Sequence, residues 1–203
     1  NAWKRGRQQY DLYCTHRATE DKWANRTFAF LELQNANDLA MAGAPKMALE
    51  HFRQAFELAQ RSDLYFTDSW VHVQYAWLLA AEGDTEGFNG QIKNMWDKFG
   101  EDVSGLGAAH VVSAASLLSE TPVKWPTMLV RAQDAIAQDP KNVWRQYALG
   151  LANLRAGNFH AAVATLQALD ASNWVPWGFY LAIALERTGN HAGAKRVLDN
   201  TEL

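Results

Sequence analysis

A glycine-asparagine pair that recurs at a fixed interval constrains this chain more than any other feature. Gly157-Asn158 is followed by Gly189-Asn190 about 32 residues on, close to the ~34-residue period of stacked helical hairpins. Each pair lies between two apolar runs. Trp144, Ala148 and Leu151 precede the first, and Phe159, Ala162, Val163, Leu166 and Leu169 follow it. Trp177, Leu181 and Leu185 precede the second, and Ala194, Val197 and Leu198 follow it. Steps of three and four residues put each set on one face of a helix. Glycine takes the left-handed backbone that ends a helix, and asparagine caps the start of the next. The pattern predicts helix-turn-helix units whose apolar faces are covered by their neighbours.

Looser copies lie upstream. Glu82-Gly83-Asp84 separates a helix with Val73, Trp77 and Leu79 from one with Phe88, Ile92 and Met95. Gly43-Ala44-Pro45 separates Phe28, Leu31 and Leu39 from Ala48, Phe52 and Ala55, with Pro45 in the first turn, where its missing N–H costs nothing. A middle copy runs from about residue 101 to 139 and lacks a glycine break. Thr121-Pro122 is read there as N-cap and N1, and Asp139-Pro140 as the end. Valine, isoleucine and threonine never alternate with polar residues as a strand requires. The reading is all-α, with about five antiparallel hairpins. Residues 1–20 are expected to form an N-terminal capping segment, and 21–203 the helical repeat array.

Composition narrows the function. Of 203 residues, 48% are hydrophobic and 20% charged, and the net charge is −3. That balance supplies a core and gives no reason to expect a nucleic-acid surface or an anionic membrane. Lys4, Arg5 and Arg7 form the one basic run, read as a solvated helix start. Cys14 is the single cysteine, so no disulfide forms within the chain. One thiol suits a reducing compartment, and the protein is expected in the cytoplasm. No stretch approaches the ~18 apolar residues of a membrane span, and no signal peptide is visible. The chain begins with Asn1, which suggests a piece of something longer or a processed product.

Catalytic patterns are sought and not found: no phosphate-binding glycine loop, HExxH, GxSxG or kinase catalytic loop. Asp84, Glu86, Glu101 and Asp102 read as acids at loop or helix-start positions, where they favour the helix dipole. His16, His51, His72, His110, His160 and His191 are scattered over different hairpins, so neither a metal site nor a cofactor is expected. Cys14, Ser113 and Ser116 have no identifiable base, and Ser113 and Ser116 belong to a small-residue helix. The chain is read as a non-enzyme.

The crossing positions carry a resemblance. Leu149-Gly150 with Ala162 and Leu166, and Leu181-Ala182 with Ala194 and Leu198, resemble the tetratricopeptide (TPR) signature. Ala48, Phe52 and Ala55, and Ala135 with Pro140, are similar to parts of it. Small residues at such crossings let helices approach. Phe88 departs from this pattern, standing where a small residue is expected. Residues 141–167 (KNVWRQYALGLANLRAGNFHAAVATLQ), 177–199 and 75–101 look like the C-terminal TPR arrays of large bacterial regulatory proteins that carry a Ser/Thr kinase or WD40 domain. The resemblance spans roughly residues 70 to 200. It implies a right-handed superhelix whose first helices line a concave surface.

Register then implies the inner positions: Phe30, Leu33 and Asn37; Trp70, Val73 and Trp77; Trp144, Tyr147 and Leu151 with Arg155 at the rim; and Phe179, Ile183 and Arg187. Leu33, Val73 and Trp77 replace the polar groups of a carboxylate clamp, so none is expected. Such a groove suits an apolar peptide or helix. Nine tryptophans leave core filling and contact both open for Trp70, Trp77 and Trp144. Trp3 and Trp23 are assigned to the N-terminal cap, and Trp96, Trp125 and Trp174 to gaps between hairpins. The implied function is a protein-interaction scaffold for a protein or peptide partner, as a signalling module of a larger regulatory protein. A structural subunit buried in an assembly is the alternative, followed by a small-ligand binder or enzyme.

Overall fold

The computed structural model describes residues 22–62, 69–169 and 175–201. Among these residues there are ten helices and no strand. The chain divides into two compact units, Asn1–Thr67 and Asp68–Leu203. The capping segment expected at 1–20 lies outside the described residues, as do Trp3, Lys4, Arg5, Arg7, Cys14, His16 and Trp174.

In the first unit α1 (Lys22–Met41) pairs with α2 (Pro45–Arg61). Alanines make the approach possible: Ala29, Ala36, Ala48 and Ala55 are fully buried, with Phe52 between them. Burying one such phenylalanine stabilises the pair by about 1.5–3 kcal/mol. Glu32 of α1 meets His51 Nδ1 of α2 at 2.5 Å. Both groups are largely buried, so each satisfies the other away from water.

The second unit holds α3 (Ser69–Ala81), α4 (Thr85–Phe99), α5 (Gly107–Ala115), α6 (Trp125–Gln138), α7 (Val143–Arg155), α8 (Phe159–Gln167), α9 (Val175–Arg187) and α10 (His191–Asp199). Successive first helices touch: α3 with α5, α5 with α7, and α7 with α9. Each second helix also packs on the next first helix, α4 on α5, α6 on α7 and α8 on α9. This is the nearest-neighbour stacking of a helical repeat. The crossing of α7 and α8 is as close as its residues predict. A Cβ at Gly150 would lie 2.5 Å from Leu166 Cδ2, so only hydrogen fits there. Leu181, Ala182 and Ala194 are buried between α9 and α10. Leu198 is 37% exposed, because α10 packs on α9 alone among the described helices.

Four hairpin turns share one device. Gly43, Gly83, Gly157 and Gly189 have φ between +73° and +84°. In each, the glycine N–H reaches back three residues and the next N–H reaches back five, as in Asp84 N to Leu79 O at 2.9 Å. That pair of bonds is the Schellman closure. No atom crowds a Cβ at any of the four glycines, so backbone conformation alone demands glycine.

Two caps differ from expectation. Asn158 occupies the N-cap position of α8 but makes no cap bond. Its side chain instead donates to Asn153 Oδ1 at 3.3 Å. The capping role holds at Asp84, which accepts from Gly87 N, and at Asn190, which accepts from Gly193 N, both at 2.9 Å. Thr121-Pro122 does not start α6. The helix begins at Trp125 with Pro126 in its first turn and Lys124 as N-cap. Thr121 donates to Val123 O at 2.7 Å, which holds the loop before the helix.

Candidate functional site

The first helices of the second unit carry a chain of aromatic contacts. Trp77 and Trp70 on α3 meet edge to face at 5.2 Å. Trp70 reaches Trp144 of α7 at 5.3 Å, and both contact His110 of α5, at 5.5 and 5.7 Å. Trp144 continues to Tyr147 at 6.4 Å, and Tyr147 to Tyr180 of α9 at 6.1 Å. Most of the pairs are edge-to-face, the arrangement that aligns a positive ring edge with a negative face. Ser69 Oγ lies 2.8 Å from His110 Nδ1. Burial lifts the Tyr147 hydroxyl far above the ordinary phenol range, and neighbouring Tyr180 acts in the same direction.

This packing corrects part of the inner-face reading. Val73 and Leu151 are fully buried, and Tyr147 is 5% exposed, so none of the three faces outward. Tyr147 and Leu151 are covered by Leu166, Leu169, Leu181 and Leu185, whereas the tryptophans close over α5. Every residue of that helix is buried, and most are alanine, glycine or serine. Its short side chains let two indoles span its width and close over it. Trp70, Trp77 and Trp144 are half-buried members of this cluster. In the first unit Phe30 is exposed, and Leu33 and Asn37 are half-buried. Trp23 is 76% exposed on α1. Trp96 and Trp125 are half-buried in the second unit.

The α9 end differs. Leu181, Ala182, Ala184 and Leu185 form its buried face. Phe179 and Ile183 stand one turn apart on the other, 49% and 47% exposed, and Arg187 follows one turn later. Beside Ile183 opens a cleft of about 280 Å³, walled by Leu154, Phe159, Tyr180 and Ile183, with Arg155 and Arg187 also lining it. The Arg187 guanidinium lies 6.0 Å over the Phe159 ring, within reach of a cation–π attraction. Arg155 donates from Nε and Nη2 to Ser116 O, which fixes the arginine at the end of α7. Arg155, Ile183 and Arg187 are therefore the inner-face residues that converge on one cavity.

One structural arginine was not foreseen. Arg145 is buried and donates to Ala135 O at 2.9 Å, Ser104 O at 2.6 Å and Gly105 O at 2.9 Å. It ties α7 to the end of α6 and to the segment before α5. Asp102 shapes the same segment, accepting from Gly105 N at 2.8 Å and Ser104 Oγ at 3.1 Å. The Gly105 N–H is the main influence holding its carboxyl below the usual range, burial opposes it, and Ser104, Gly107 and Arg145 add to it. Asp102 thus holds the loop turn that leads into α5. Glu101 pairs instead with Arg131 at 2.5 Å.

Among the described residues no three His, Cys, Asp or Glu side chains gather as a metal site. No described helix is long and apolar enough to cross a membrane.

Stacked all-helical hairpins closed by glycine turns, with small residues at their crossings, define a TPR-type fold. Solved structures agree. The chain is similar to MamA, residues 41 to the end, from Desulfovibrio magneticus RS-1, with a TM-score of 0.51 and 16% identity over 91% of this chain and 95% of that one. A MamA RS-1 double mutant, ArsTM, matches with a TM-score of 0.50 and 17% identity over 91% and 94%. At such identities the likeness concerns the fold alone. No protein-family model matches the sequence, and no curated protein matches it.

Proposed function

We propose that the chain is a protein-binding scaffold of the TPR type that takes an apolar segment of a partner along α9. The observation that carries this reading is the pair Phe179 and Ile183, two large apolar side chains about half exposed on one face of a helix whose other face is core. Ile183 lines a cleft whose α7 and α8 walls, Leu154 and Phe159, are already in place. Its exposure is thus a feature of a formed surface. A neighbouring apolar pair beside a cavity suits an extended or helical apolar segment. The resemblance of residues 70–200 to arrays of larger regulatory proteins supports reading the chain as a module of one.

The test compares partner capture by the intact chain with capture by a Phe179→Ser, Ile183→Ser double variant. Loss of specific partners with unchanged circular dichroism is the expected result. Identical capture by both proteins contradicts the reading. Trp70 and Trp77 are unsuited to this test, because their substitution disturbs the aromatic cluster.

A further inference from the structure

The cleft between α7, α8 and α9 has apolar walls and two arginines, and no carboxylate lines it. Its remaining lining residues are Ser119 and Gly157. A volume of about 280 Å³ sits just under the ~300–1,000 Å³ of sites that enclose a whole small molecule. It suits one large side chain entering from a segment that passes over the opening.

The two guanidiniums differ in what they have left to offer. Arg155 commits Nε and Nη2 to the Ser116 carbonyl, and Nη1 remains. The Arg187 Cζ lies 6.0 Å over the Phe159 ring centroid. A ring at that distance attracts the guanidinium without neutralising its charge. Among the described residues no carboxylate lines the cleft beside it, so its N–H groups can take one from a partner. Glu186, the adjacent acid, is engaged with His191 Nδ1 at 2.7 Å. The site therefore presents fixed positive charge beside an apolar hole, and its complement is negative charge beside an apolar side chain.

We propose that this cleft recognises an acidic-apolar peptide segment, in which one phenylalanine- or leucine-sized side chain enters between Leu154, Phe159, Tyr180 and Ile183 and a flanking aspartate or glutamate carboxylate pairs with Arg187 and Arg155. Phe179, one turn before Ile183, extends the apolar track along which the segment lies. The inference rests on the scaffold reading and adds to it the chemistry of the partner.

The probe is a fluorescein-labelled peptide, blocked at both ends, with one phenylalanine flanked by glutamates. A second peptide has glutamine in place of each glutamate. Both are titrated into the full chain and followed by anisotropy. The acidic peptide is expected to saturate, with the glutamine peptide on the order of tenfold weaker, the scale of a charge-assisted contact. Arg187→Ala is expected to bring the acidic peptide down to the level of the glutamine one, and Arg187→Lys to fall between, since lysine keeps the charge and loses the planar fork. Salt should weaken the acidic peptide more than the neutral one. Arg187 is exposed and at the end of α9, so its variants should fold, which circular dichroism checks. Equal binding of both peptides with no effect of Arg187→Ala overturns the charge recognition and leaves the scaffold reading intact. No saturable binding of the acidic peptide, while the intact chain still captures partners that the Phe179→Ser, Ile183→Ser variant loses, also overturns the inference alone.

Discussion

The first-helix face of the second unit changes character between its middle and its α9 end. In the middle, Trp70 and Trp144 meet over α5, and Val73, Tyr147 and Leu151 lie beneath the surface. At α9, Phe179 and Ile183 remain half exposed and a cleft opens beside them. Tyr180 belongs to both regions, touching Tyr147 on one side and lining the cleft on the other. The repeat is the same, so repeat position does not decide whether a large side chain becomes core or contact. The neighbouring helix decides it. Where that helix is short and built of alanine and serine, the flanking aromatics close over it. Where the neighbour ends in Leu154 and Arg155 at a glycine turn, a gap remains.

Substitutions can break this contrast. Trp144→Ala should have the largest effect, since it removes a ring that contacts Trp70, His110 and Tyr147. Loss of a packed tryptophan costs about 3 kcal/mol, read from urea unfolding. Arg145→Ala strands the carbonyls of Ala135, Ser104 and Gly105. It should cost roughly 2 kcal/mol, with hydrogen exchange rising first around residues 102–107. The two glycines of the fourth hairpin separate space from backbone strain. Gly150→Ala forces a methyl onto Leu166 and should cost ~1–3 kcal/mol by overpacking. Gly157→Ala meets no atom but must hold φ near +84°, at ~1 kcal/mol. The smallest shift belongs to Phe179→Ser with Ile183→Ser, within about 0.5 kcal/mol as surface changes, while partner capture falls. A Trp144→Ala variant as stable as wild type would place that ring outside the core.

The hairpins were legible because their signals are local. Glycine turns and three-four spacing act within a few residues, and four of the five turns follow them. The Gly150 and Leu166 crossing was legible for the same reason. Thr121-Pro122 misled because Thr121 bonds Val123 O in the loop, and the helix starts instead after Lys124, with Pro126 in its first turn and no side-chain cap bond. Asn158 looked like a cap, yet the neighbouring Asn153 side chain takes its amide instead. The burial of Tyr147 and Leu151 depends on Leu166, Leu181 and Leu185 of later helices, so register alone could not show it. Nothing local in the sequence marks Arg145, and its role arises only when the carbonyls of Ala135, Ser104 and Gly105 converge on it. Of the inner positions, Ile183 and Arg187 on α9 and Arg155 at the end of α7 line the cleft.

Residue-resolved hydroxyl-radical footprinting of the free chain tests the division between closed middle and open end most directly. Phenylalanine is intrinsically less reactive than tyrosine, so the comparison of Phe179 with Tyr147 runs against the expected order. The account predicts faster oxidation of Phe179, which is 49% exposed, than of Tyr147, which is 5% exposed. Oxidation of Tyr147 at or above the rate of Phe179 would mean that the aromatic middle is open, and it would contradict the account.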